Sequence, residues 1–210
     1  MPEKSSSTAR LEAFSDGVIA VIITIMVLDL KAPHQEGTAG LYAMLPGFLV
    51  YVLSFTFTAV YWINHQHLIQ RIEFADGLVL YANLGFLFCL SLLPFFTSYV
   101  IEQRMDAFPV ALYAIAMNVT GFSFLLLRLA IHRSLRCAGN LQPQDTAERS
   151  KHLLSLVLYL TAVPLAYVQP KLALAVIGVV TLVWIVPSFQ AAMAGRKSEI
   201  TDGQADRSRR

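Results

Sequence analysis

The run Arg10-Leu11-Glu12-Ala13-Phe14-Ser15-Asp16-Gly17 leads into the apolar stretch Val18 to Leu28 and closes on Asp29, Leu30 and Lys31. Residues 13–31 are long enough for a helix to cross a hydrocarbon core of roughly 30 Å. Yet the stretch begins with a carboxylate about one turn inside it, which a plain anchor helix avoids. An ionised Asp costs about 2.5–3.5 kcal/mol at mid-membrane and less near an interface, so Asp16 needs partners or water. With Ser15 beside it and Arg10 and Glu12 just upstream, it forms a polar knot at the mouth of an apolar helix.

At about 100° per residue, Val21, Thr24, Ile25 and Leu28 share one narrow stripe, extended by Gly17 and bounded by Asp29, while Asp16 points nearly the opposite way. Two readings of the stripe stand. Copies meeting around an axis make a narrow apolar tube with a ring of hydroxyls. Ordinary helix packing instead turns the Thr24 hydroxyl back onto its own helix.

The rest of the chain places this helix in a membrane. More than half of the 210 residues are apolar, which excludes a disordered chain and an ordinary soluble domain. The formal net charge of +2 gives no electrostatic footprint for nucleic acid. Cys89 and Cys137 offer neither a disulfide framework nor metal spacing. The first apolar run is long and followed by others, unlike a cleavable signal.

Apolar windows predict an all-α polytopic protein with six transmembrane helices at about 13–31, 42–64, 78–100, 108–131, 153–168 and 171–193. The last two are parted by Gln169-Pro170-Lys171, read as a turn between short antiparallel spans. Residues 132–152 read as the longest internal loop. Residues 1–195 form one membrane domain and 196–210 a polar, disordered cytoplasmic tail. Of the sixteen Lys and Arg residues, all but Lys31, Arg104 and Lys171 fall on one side of this arrangement. The positive-inside rule therefore predicts that both termini are cytoplasmic.

The second span ends in Tyr61-Trp62-Ile63-Asn64-His65-Gln66-His67-Leu68. In that topology Trp62 and His65 emerge level with Ser15 and Asp16, so an indole N–H or an imidazole becomes available to the carboxylate. An interfacial aromatic and a wet membrane edge are the plainer readings of the same residues. His65 and His67 diverge on a helix and lack a third metal ligand. Asn83, Ser91 and Pro94 in span three, and Asn118 and Thr120 in span four, read as interhelical hydrogen bonds or a kink. No catalytic or nucleotide-binding pattern occurs in a suitable context, so the expectation is a protein that is not an enzyme and has no cofactor.

Arg10-x-x-x-Phe14-Ser15-Asp16 on the first span, with Trp62-x-x-His65-x-x-Leu68 closing the second, resembles the transmembrane protein 175 family of potassium channels. Asn83 and Leu92-Leu93-Pro94 in span three fit the same pattern. The resemblance implies a cation pore lined by the first helix and, for a single six-helix repeat, a homotetramer in the plasma membrane with lipid as its other partner. Potassium is then the permeant species rather than a cofactor. It assigns the constriction to Val21, a hydroxyl layer and potassium path to Thr24, and further apolar layers to Ile25 and Leu28. Arg10, Phe14, Ser15, Asp16, Trp62 and His65 become the scaffold that holds the pore helices in register.

Val21 is smaller than the Ile or Leu usual in that family's narrowest ring, which implies either a looser seal there or a seal shifted to Ile25 or Leu28. Asp29, at the outer end of the stripe, reads either as a charge that concentrates cations or as a solvated terminus paired with Lys31. The competing functional reading is a proton-coupled transporter that uses Asp16 and His65 as a relay.

Overall fold

The computed structural model describes residues 6–32, 37–140 and 143–184, and its regular elements are all α-helices. They are α1 (Ser6–Leu28), α2 (Thr38–Ile69), α3 (Gly77–Ser91), α4 (Leu93–Glu102), α5 (Ala107–Cys137) and α6 (Pro143–Val168), followed by α7 (Pro170–Trp184). Five helical stretches are long and apolar enough to cross a membrane, with α3 and α4 together making one of them, and α7 is a shorter apolar helix. This is a multi-pass membrane protein. The expected sixth span, 171–193, is described only through Trp184, and the expected tail at 196–210 lies outside the described residues.

The third span is broken where its proline stands. Pro94 has no amide hydrogen to donate to the Leu90 carbonyl; just before it Leu92 N–H bonds Cys89 O at 3.3 Å, and the helix resumes with Phe96 N–H on Leu92 O. Asp76 caps the start of α3 by accepting from the Val79 amide at 2.9 Å. Between α4 and α5 the chain reverses through Arg104 and Met105, whose φ values are 52° and 62°.

The 132–152 loop expectation is corrected. α5 continues to Cys137 and α6 begins at Pro143, leaving a short connection. Hydropathy ends where the apolar window ends, but a helix extends into water as long as its backbone ladder is intact. Here the extensions also pack, because His132, Leu135 and His152 are buried. Arg128, inside the predicted span 108–131, is only 2% exposed within α5, its guanidinium 5.6 Å from the Phe124 ring centroid.

α5 is the central helix, packed against α3, α4 and α6. Around it Phe57, Tyr61, Phe86, Phe124 and His152 form a continuous set of ring contacts. Gly121 admits α6 at close range, where the His152 side chain meets the Gly121 carbonyl at 2.9 Å. α1 packs on α2, α3 and α4 along one face.

Candidate functional site

The two faces of α1 separate cleanly. Leu11, Ser15, Ile19, Ile22 and Met26 recur every three or four residues and are buried against the neighbouring helices. Val21, Ile25 and Leu28 are 55%, 46% and 76% exposed on the other side, with Thr24 exposed between them and Gly17 exposed one turn before. Beside this stripe lies a groove of about 790 Å³ lined by Phe14, Gly17, Val21, Ile25, Pro94 and Phe95 among others. The break between α3 and α4 thus lies behind the middle of α1.

Thr24 turns its hydroxyl onto the Val21 carbonyl at 2.9 Å. That uses its one proton and leaves the oxygen as an acceptor on the open face.

The polar knot consists of two separate circuits. In the first, Asp16 Oδ1 accepts from the Trp62 indole at 2.9 Å and from the Gln66 amide at 2.7 Å. Trp62 and Gln66 are four residues apart and share a helix face, so two neutral donors from α2 converge on one carboxylate. In the second, His65 Nε2 meets Asn83 Oδ1 at 2.8 Å, Asn83 Nδ2 donates to Ser15 Oγ at 2.9 Å, and Ser15 donates to the Leu11 carbonyl at 2.8 Å. With the Asn83 amide nitrogen committed to Ser15, its oxygen must accept, which sets the His65 proton on Nε2. Nδ1 of His65 is buried without a hydrogen-bond partner among the described residues. Its ring stacks on Phe86, centroids 5.9 Å apart.

At the far end of α1, Lys31 pairs with Glu102 of α4 at 2.7 Å rather than with Asp29 alone. Asp29 accepts from Ser98 of the same helix. Burial pushes the Asp29 carboxyl above its ordinary value and nearby Glu102 adds to the rise, against the opposing influences of Ser98 and Lys31.

Ser15, Asp16, Trp62 and His65 therefore come together as two hydrogen-bonded sets. Asp16 and His65 are not bonded to each other. Phe14, 54% exposed, and the exposed Arg10 stand with the open stripe rather than in the knot. Gln66 was not singled out by sequence reading, although its spacing from Trp62 carried the signal. Asn83 was legible as an interhelical hydrogen bond and as part of the family resemblance, but without its partners. Among the described residues no group of His, Cys, Asp or Glu is arranged to hold a metal ion.

A bundle of membrane-spanning helices, one of them fastened by polar circuits on one face and uncovered on the other, defines a polytopic helical membrane protein with an unpartnered transverse helix face. The family model described as the endosomal/lysosomal potassium channel TMEM175 matches residues 10–94. A protein of Chryseobacterium sp. named as a potassium channel is 38% identical over 180 residues, covering 85% of this chain and 92% of the relative. One of Streptomyces collinus, also named as a potassium channel, is 30% identical over 84% of this chain and 91% of its own. The crystal structure of a homologue, from Chamaesiphon minutus, of the lysosomal potassium-selective channel TMEM175 superposes with a TM-score of 0.67 at 27% identity. It covers 88% of this chain and 99% of that one. The chain belongs to the TMEM175 family, whose relatives named here are ion channels and not enzymes.

Proposed function

We propose that this chain is the subunit of a passive potassium channel in the plasma membrane, a homotetramer with cytoplasmic termini in which α1 of each copy lines the pore. The observation that carries this reading is the asymmetry of α1. One face is fastened to α2 and α3 through Asp16 and Ser15, while Val21, Thr24, Ile25 and Leu28 are left exposed by their own chain. A membrane helix has little reason to be fixed so firmly on one side unless the other must keep a defined position.

In the assembly, rings of Val21, Ile25 and Leu28 constrict the path and close it by expelling water. The Thr24 oxygens, their protons turned to Val21, accept a partly dehydrated cation between the apolar rings. The two circuits around Asp16 and His65, together with Arg10 and Phe14 at the edge of the stripe, hold the pore helices in register. No cofactor takes part. Asp29 raises the cation concentration at the outer mouth.

The names of the bacterial relatives support potassium as the ion. Chicken and mouse relatives are named as endosomal/lysosomal proton channels, and this chain covers 25% and 33% of their lengths. Proton conduction is therefore the second reading. A proton-coupled carrier working through Asp16 and His65 is disfavoured by their separate hydrogen-bond partners.

Ion flux into proteoliposomes of the purified protein tests the proposal, with potassium, sodium and proton gradients imposed in turn. Rapid potassium flux that changes in Val21→Ala, with a lower potassium-to-sodium ratio in Thr24→Ala, is the expected result. An unaltered ratio removes Thr24 from selectivity. Proton flux without potassium flux, or slow saturable proton-driven uptake, overturns the channel assignment.

A further inference from the structure

A second groove lies away from α1, between α2 and α7, with a volume of about 570 Å³. That is within the roughly 300–1,000 Å³ typical of small-molecule sites. Its wall on α2 includes Leu49 and Leu53, and its wall on α7 includes Leu174, Ala175 and Gly178. Lys171, at the start of α7, is the one charged residue among those lining it. Lys171, Ala175, Gly178 and Leu182 follow one another at intervals of four, three and four, so they form one stripe of α7. The groove exists because two of those positions carry almost no side chain.

From Lys171 to Leu182 the helix rises about 16 Å at 1.5 Å per residue, close to half of a hydrocarbon core of roughly 30 Å. The groove is therefore one leaflet deep, apolar along its length, with a cation at the end where that leaflet's headgroups lie. We propose that it is a binding site for one anionic phospholipid, an acyl chain lying along Ala175 and Gly178 and the headgroup phosphate against Lys171. Inside a bilayer an acyl chain gains nothing from leaving water, because the surrounding lipid is equally apolar. Preference for a particular lipid must then come from the charge at Lys171, and retention from the space above Ala175 and Gly178. The site is distinct from the α1 face and does not depend on which ion the protein conducts.

Native mass spectrometry of the purified full chain, incubated with phosphatidylglycerol or phosphatidylcholine of identical acyl chains, tests the site. Phosphatidylglycerol is expected to be retained about fivefold more than phosphatidylcholine, the ratio that one basic residue at a membrane surface supports. Lys171→Gln, at an exposed position, should reduce that preference to parity. Ala175→Leu, also exposed, should abolish retention of both lipids while the oligomer and its melting temperature are unchanged. Equal retention of the two lipids by the native chain, or a preference that survives Lys171→Gln, overturns the proposal. So does a change of oligomeric state in Ala175→Leu with lipid retention intact, which would make the groove a contact between copies.

Discussion

The indole of Trp62 donates to the carboxylate of Asp16 at 2.9 Å, tying the N-terminal half of α1 to the C-terminal part of α2 across 46 residues of sequence. With Gln66 on the same oxygen, the half-buried carboxylate has two neutral donors and no cation among its direct partners described here. Such bonds tolerate a charge near the hydrocarbon boundary because they replace the water it has lost.

Replacing Trp62 by Phe keeps the aromatic bulk and removes one donor. The expected loss is about 1.5 kcal/mol, the lower end for a hydrogen bond to a charged group, since Asp16 is only half-buried and retains Gln66. Thermal melting in detergent checks it. Trp62→Phe with Gln66→Leu should lose more than the sum of the two, because the doubly substituted protein leaves the carboxylate without either donor.

Asn83→Leu cuts both bonds that Asn83 makes in the second circuit, leaving Nε2–H of His65 without an acceptor and the Ser15 hydroxyl without its incoming bond. A buried polar group left unsatisfied costs about 1–3 kcal/mol, and His65 is fully buried. Ser15→Ala removes the Asn83–Ser15 and Ser15–Leu11 bonds but leaves His65 paired with Asn83, and should cost less. Equal melting temperatures for the two variants would mean that Asn83 is not the centre of the circuit.

Asp29 predicts a pH dependence of known sign. Its carboxyl titrates above the ordinary 3.8, chiefly because it is partly buried. As the pH on that side falls through the raised value, this negative charge is lost. Between the ordinary and the raised pKa the folded chain holds this proton more tightly than the unfolded one, so ionisation there lowers stability rather than adding to it. Potassium current at low salt should therefore decline on acidification of the Asp29 side, and Asp29→Asn should be low and flat over the same range. The difference should shrink at high salt through screening. A native current independent of pH there removes Asp29 from conduction.

Gly121→Ala introduces a Cβ that would stand 2.7 Å from Leu156 Cδ2 and 2.8 Å from the Tyr61 hydroxyl. Leu156 can rotate, but Tyr61 is held by ring contacts to Phe57, Phe86 and Phe124. Overpacking of this kind costs about 1–3 kcal/mol. The measurement is thermal stability, with Gly85→Ala as the control, since a Cβ at Gly85 meets nothing within 4 Å.

Much of this architecture was legible before any coordinate. Length and hydropathy identify membrane spans because the bilayer has a fixed thickness and no water for an unpaired backbone. Pro94 announced the break in the third span and Gln169-Pro170 the turn into α7, since proline cannot donate to a ladder wherever it stands. The stripe from Val21 to Leu28 followed from helical period alone.

The helical ends did not. Hydropathy loses contrast where charged residues begin, so the stretch of α5 beyond residue 131 and the start of α6 read as loop although both are helix. The partners of the polar groups also lay beyond the sequence. Composition put Asp16, Trp62 and His65 at one level of the membrane, but a residue's rotation about its helix relative to a neighbour depends on how the helices pack. Only that packing sent the indole and Gln66 to Asp16, sent His65 through Asn83 to Ser15, and drew Lys31 to Glu102. The sequence by itself determined that a polar knot must exist, because a carboxylate entering hydrocarbon requires partners. The tertiary structure decided which donors meet it, because hydrogen bonds depend on distances of a few tenths of an ångström that no linear spacing specifies.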